Sequence, residues 1–194
     1  MVFRIEPLSA ELWPDLATLF GPSGACYGCW CTHFRLPAKL RNATSSDGRK
    51  AVMQSRVEGG PPPGLLGYLD DQTVAWMQIG PRADVPQWNN PGRVTTPLED
   101  APPSDSSVWA ISCFFFKSSA RGKGFSHNMV AAGIAYARDH DARLLEACPM
   151  DRAKQSKSVG LFVGSTSVFA KAGFEHVALR KPCRPLMRLH LIPA

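Results

Sequence analysis

No stretch of this sequence approaches the roughly 18 consecutive apolar residues that a membrane-spanning helix needs. Residues 1–8 lack the basic-then-apolar pattern of a secretory leader. No run of roughly five to eight Lys or Arg residues occurs, so the usual mark of a nucleic-acid binder is missing. No internal repeat is visible. Charged residues, at 20%, are too few and hydrophobic ones, at 44%, too many for a disordered chain. The expectation is a globular cytoplasmic protein with no nucleic-acid or membrane partner.

A length of 194 residues suits one domain at roughly 150 residues per domain, enough to bury about two-thirds of the unfolded surface. The 22 basic and 16 acidic residues leave a net charge of +6. Scattered as they are, they fit a solvated basic surface or a site for one polyanionic small molecule. Six cysteines are present. In the cytoplasm their default state is the free thiol.

Residues 2–5 read as a short strand. Ser9 is a fair cap for a helix through Phe20, with Pro14 in its first turns. Residues 21–24 stop it, and a cysteine-rich loop follows. Ser46 or Asp47 caps a second helix to about Val57, and the run from Gly59 to Gly64 breaks it. Residues 65–69 and 74–79 form two strands joined by a tight turn at Asp70-Asp71-Gln72. From about 80 to 107 the chain holds six prolines. A loop this long is expected to cover a ligand site. Val108–Phe116 is nearly continuously apolar, as suits a central strand buried on both faces. A helix follows over 122–139, a strand over 143–148 and a short helix over 165–172 stopped by Gly173. Strands over 174–179 and 186–191 close the chain. The order is that of a mixed α/β sheet.

The segment Phe116-Lys117-Ser118-Ser119-Ala120-Arg121-Gly122-Lys123-Gly124-Phe125-Ser126 carries chemistry. A buried strand passes through a basic, glycine-rich junction into a helix. Amides at a helix N-terminus are unpaired donors at the positive end of the dipole and can cradle a pyrophosphate. Gly122 and Gly124 allow close backbone approach. A plain turn is the bland reading. The spacing is neither that of a P-loop nor a complete dinucleotide fingerprint.

Arg121-Gly122-Lys123-Gly124-Phe125-Ser126 resembles the acyl-CoA loop [QR]-x-x-G-x-[GA] of the GNAT superfamily of N-acetyltransferases, with Ser126 at the final small position. Phe169-Ala170-Lys171-Ala172-Gly173-Phe174 resembles the family's later aromatic and Gly-Phe pair. The element order is also similar over nearly the whole chain. Gly28-Cys29-Trp30-Cys31, Pro63-Gly64-Leu65-Leu66, Gly80-Pro81-Arg82 and Leu145-Glu146-Ala147-Cys148-Pro149 look closer to one bacterial branch.

The resemblance implies a single GNAT acyltransferase domain over 1–194. Its central sheet is mixed, mainly antiparallel and flanked by helices, with splayed fourth and fifth strands. It implies acetyl-CoA as cofactor. The backbone of Phe114, Phe115 and Phe116 would pair with the pantetheine arm. Arg121, Gly122, Lys123, Gly124, Phe125 and Ser126 would hold the pyrophosphate. Direct attack of an amine on the thioester needs a proton acceptor, and a strand amide can steady the oxyanion. Glu146 is the first candidate base; a structural ion pair is its bland reading. His127 is a weaker candidate. Many family members carry a tyrosine acid where this chain has Phe169, which can only pack against the cofactor arm. Cys148, Asp151 and Tyr27 are alternatives for the acid. The implied acceptor is a small-molecule amine, with a protein lysine as the other reading; the family also allows a homodimer.

Cys26-x-x-Cys29-x-Cys31-x-His33 packs four soft ligands into eight residues. One tight cluster is poor tetrahedral geometry for zinc, so no metal is expected. Redox sensing by the thiols is a second reading, and packing a third. The family places this region beside the acceptor pocket, which makes Tyr27 and Trp30 substrate-binding candidates, with Phe34 and Arg35 beside them. Trp76 is expected in the core and Trp88 in the cover. A GNAT-fold module that binds CoA or senses metal or redox state without turnover is the alternative to an enzyme.

Overall fold

The computed structural model describes residues 2–151 and 162–191. Seven strands form one sheet in the order β1-β2-β3-β4-β5-β7-β6. They are β1 (Phe3–Pro7), β2 (Gly64–Leu69), β3 (Gln72–Pro81), β4 (Val108–Phe116), β5 (Leu144–Ala147), β6 (Glu175–Leu179) and β7 (Pro185–His190). All neighbours are antiparallel except β4 and β5. The helices are α1 (Trp13–Phe20), α2 (Ala38–Ala43), α3 (Ser46–Glu58), α4 (Phe125–Arg138) and α5 (Thr166–Lys171). No helix among the described residues is long and apolar enough to cross a membrane.

The expected strands all form, and the differences in the helices have local causes. A 3-10 turn over Ala10–Leu12 precedes α1, which begins at Trp13 because Pro14 belongs in a first turn. Ser45, one residue before the expected caps, accepts the Gly48 N–H and starts α3. The sequence gives no signal for α2, which buries no residue and so has no apolar stripe. The β2–β3 turn places Asp70 and Asp71 at φ 47° and 64°, the backbone a two-residue hairpin turn requires.

Two cores sandwich the sheet. On one face Leu16, Phe20, Met53, Val57, Leu66 and Trp76 join the helices α1 and α3 to the strands. On the other, Met77, Ile79, Met129, Val130 and Phe169 join α4 and α5. Along α4 the buried residues Met129, Val130, Gly133, Tyr136 and Ala137 repeat at helical spacing. Trp76 is core, as expected, and Trp88 lies within the proline-rich cover, where it is buried.

The decisive local feature lies in β4. Gln78 pairs with Cys113 and Ile79 with Ile111, so Ser112 is an extra residue, a β-bulge. Trp109 and Ile111 face the α4 core before it. After it, Phe114 keeps that face while Cys113 and Phe115 turn toward α1. The parallel pairing of β4 with β5 also ends here, at Ile111 and Ala147. The two strands therefore part, as expected of the fourth and fifth strands.

Gly64 shows how tightly β2 and β3 are stacked. A methyl group there would collide with the Met77 carbonyl and the Trp76 ring. Gly64→Ala is expected to destabilise the protein by about 1–3 kcal/mol through overpacking, read as a lower midpoint in urea unfolding; an unchanged midpoint would contradict this packing.

Candidate active site

At the C-terminal end of β4 a 3-10 turn over Ser118–Ala120 leads into an exposed loop and then α4. Gly122 and Gly124 take φ values of 76° and 81°, which only glycine adopts freely. Gly124 is the N-cap of α4, and no acidic residue occupies the first turn. The first amides of a helix have no intrahelical acceptor, and they lie at its positive end. A Cβ added at Gly122 or Gly124 would meet nothing within 4 Å. The loop thus presents bare backbone to open space. Arg121, Gly122, Lys123 and Gly124 are exposed, and Arg121 Nε donates to the Phe116 carbonyl at 3.1 Å. Phe125 stacks on Phe3 with ring centroids 4.2 Å apart, fixing the helix start to the edge of the sheet. Ser126 is half-buried beside it. His127 is exposed and donates its backbone N–H to Gly124.

The β4 backbone is less open than the sequence suggests. Phe114 N–H donates to the Phe162 carbonyl at 2.6 Å, so the chain itself takes the donor expected to face a cofactor arm. Met150 N–H donates to Gly164, and Thr166 N–H to Met150, so residues 162–166 run alongside the parted strands. The Phe114 side chain is buried; Phe115 packs edge-on to Phe20 and Phe116 stacks near Phe114. Phe169 is wholly enclosed between Phe114 and Phe174. At the bulge the buried Ser112 Oγ and Gln78 Oε1 have no hydrogen-bond partner among the described residues. Such orphaned groups suit a site completed by a ligand or by water.

Glu146 lies on β5 with no solvent exposure. Arg188 donates to its Oε1 at 2.8 and 3.0 Å, and Arg82 and the Trp88 indole donate to its Oε2 at 3.2 and 3.0 Å. Arg82 also donates to the carbonyls of Ala101 and Pro102, and Arg188 to both Asp100 oxygens. The proline-rich segment is therefore a cover, but what it closes over is this buried carboxylate. A base must touch the proton it removes, and this carboxylate is enclosed by four donor contacts. The sequence held a signal for the pairing: Glu146 is the one acid in β5 and Arg188 the one cation inside apolar β7. Arg82 and Trp88 gave none.

The cysteine loop sits on the opposite face from α4. Trp30 is buried against Trp13 and Phe20, donates to Ser46 Oγ and lies under the Lys50 ammonium. It lines a surface cleft of about 410 Å³ with Thr18, Ser46, Asp47 and Lys50. Tyr27 is 96% exposed and packs against none of this, so the two substrate candidates are not brought together. Arg35 donates to the Asp84 carbonyl, and Phe34 packs on Trp88. Among the described residues no three His, Cys, Asp or Glu side chains form a metal-ligand group. Cys148 is buried near Arg184, and burial pushes its thiol up.

Together these features define an open mixed-sheet α/β protein with an exposed, basic glycine loop where β4 meets α4. No family model matches the sequence, and no curated protein matches it. Solved structures do. An acetyltransferase of the GNAT family from Streptococcus pneumoniae is 11% identical, with 98% of this chain and 99% of that chain covered and a TM-score of 0.54. A putative acetyltransferase from Salmonella typhimurium with its cofactor acetyl-CoA is 13% identical, covering 100% and 96%, at TM-score 0.56. Diaminobutyrate acetyltransferase from Paenibacillus lautus, in complex with L-2,4-diaminobutyric acid and coenzyme A, is 9% identical, covering 98% and 95%, at TM-score 0.53. The chain has the GNAT fold.

The ion-pair geometry separates two roles for Glu146. Glu146→Gln leaves Arg82 and Arg188 without their buried counter-charge and is expected to cost about 3–5 kcal/mol, seen as a large drop in thermal midpoint. A mutant of wild-type stability would show that the carboxylate is not the centre of this cluster.

Proposed function

We propose that the protein is an acetyl-CoA-dependent N-acetyltransferase whose acceptor is an amine. The bare, basic glycine loop at the start of α4 carries this reading. The loop amides, with Arg121 and Lys123, suit a pyrophosphate, and the space above Gly122 and Gly124 lets it approach the backbone. The net charge of +6 favours a polyanionic ligand over longer range. The GNAT fold and the acetyl-CoA and CoA complexes among its structural relatives support the same choice.

Bound there, acetyl-CoA supplies a thioester open to attack by an amine. The chain's part is to hold the anionic end on the loop and to offer β4 amides near the bulge. For Phe114 to present its N–H, the Phe162 carbonyl must release it. Phe169 has no proton to give, and its enclosed ring braces Phe114 instead. Glu146 acts as a positioning residue that keeps β5 in place. A small-molecule amine is the favoured acceptor, and the cleft beside Trp30 is a candidate place for it. The occupied Phe114 amide and the missing phenol favour one second reading, a module that binds CoA without turnover.

Titration calorimetry with acetyl-CoA, and with desulfo-CoA for comparison, is the direct test. Binding at one site is expected. Gly124→Glu should weaken it at least about tenfold, because the new carboxylate occupies the cradle beside the anion, while circular dichroism stays native. Wild-type-like binding by this variant would overturn the site, and no binding by the native chain would overturn the function. Chromatographic detection of CoA released with a panel of amines then separates the enzyme from the binding module.

A further inference from the structure

The mechanism leaves a group of thiols unused. Cys31 Sγ and Cys113 Sγ lie 3.6 Å apart, although 82 residues separate them in sequence. Cys31 is on the loop after α1, and Cys113 is the β4 residue that the Ser112 bulge turns toward that loop. The fully buried Trp76 donates its indole N–H to Cys31 Sγ at 3.2 Å. The contact with Cys113, the Trp76 indole N–H and the charge of Arg35 hold the Cys31 thiol below its ordinary value, while the contact with Cys31 and burial push Cys113 well above. The pair is therefore unequal, and Cys31 is the sulfur that gives up its proton more readily.

The backbone around Cys31 is strained to place it there. Ala25, Tyr27, Trp30 and Cys31 all have positive φ, at 68°, 51°, 46° and 54°. Non-glycine residues in this region cost about 1–3 kcal/mol each and gather at functional sites. Arg49 holds the loop by donating to the carbonyls of Gly28, Arg41 and Thr44.

We infer that Cys31 and Cys113 form a redox dithiol that a hydroperoxide converts to a disulfide. The Cys31 thiolate attacks the peroxide, the O–O bond breaks, and the leaving alkoxide or hydroxide takes a proton to become alcohol or water. The resulting Cys31 sulfenic acid is then attacked by the Cys113 sulfur. The S–S bond forms, the S–O bond breaks, and the hydroxyl leaves with the Cys113 proton as water. Two thiols lose two electrons and the peroxide gains them. The sulfurs need to approach by about 1.5 Å to reach bonding distance. The product fastens the cysteine loop to β4 at the residue before Phe114.

The test uses the reduced full chain and hydrogen peroxide. After quenching with N-ethylmaleimide the protein is unfolded and cut with chymotrypsin without reductant. Cleavage after Tyr27 and Trp30 separates Cys29 from Cys31, so the linkage is unambiguous. The expected product is a Cys31–Cys113 cross-linked pair, with the free-thiol count falling from six to four and restored by dithiothreitol. In Cys113→Ser the Cys31 sulfenic acid should persist and be trapped by dimedone. In Cys31→Ser the loss of free thiol in peroxide should slow at least about tenfold, because the attacking sulfur is gone. Linkage through Cys26, Cys29, Cys148 or Cys183 would overturn the assignment. So would thiols that resist peroxide in the folded chain but oxidise once it is unfolded.

Discussion

A single carboxylate with no access to water organises the C-terminal half of the sheet. Glu146 and Arg188 are directly opposed partners in the β5–β7 ladder, and Arg82 reaches the same carboxylate from the end of β3. A buried charge is tolerable only when paired and hydrogen-bonded. Here Glu146 and Asp100 balance Arg82 and Arg188, and the Trp88 indole adds a further donor. The segment between β3 and β4 is thereby tied down at Arg82, Trp88, Asp100, Ala101 and Pro102. Its prolines suit that role. They lack an N–H to satisfy, keep a carbonyl that Arg82 can use at Pro102, and limit the unfolded chain.

Once β5 is held by this cluster, the parting of β4 from it has a defined place. Pairing ends at Ile111 and Ala147, and the next β4 residue is the bulged Ser112. The bulge reassigns faces. Phe114 reaches toward α5 and Phe169, while Cys113 and Phe115 reach toward α1 and the cysteine loop. A strand without the bulge would leave Cys113 on the α4 side with Ile111, out of reach of Cys31. The same strand then delivers the chain into the basic glycine loop. One element thus positions the glycine loop at its end and the thiol pair on its flank.

What could be read in the sequence follows from which interactions leave a local mark. A strand buried on both faces is nearly continuously apolar, so Val108–Phe116 was visible. Positive φ at Gly122 and Gly124 demands glycine, so the loop was visible. Gly173, at φ 90°, ends α5 where expected. The bulge left no mark because a strand apolar on both faces has no alternation to interrupt. The hydrogen bond from Phe114 to Phe162 joins two backbones and places no demand on side-chain type. The base role expected of Glu146 met a burial that only the cover and β7 create, and those lie about 40 residues or more away in sequence on either side.

The two positive-φ loops of the site differ in a way that bears on how each is held. In the loop before α4, glycine meets the backbone demand, so its shape costs little and belongs to the local sequence. In the loop after α1, alanine, tyrosine, tryptophan and cysteine adopt the same region. That shape is unfavourable on its own and exists because contacts elsewhere impose it: Arg49 on three carbonyls, Trp30 wedged between Trp13 and Phe20, and Cys31 against Trp76 and Cys113. The shape of the glycine loop is a property of a few residues. The thiol pair is a property of the assembled face, and its geometry is tied to the sheet beneath it.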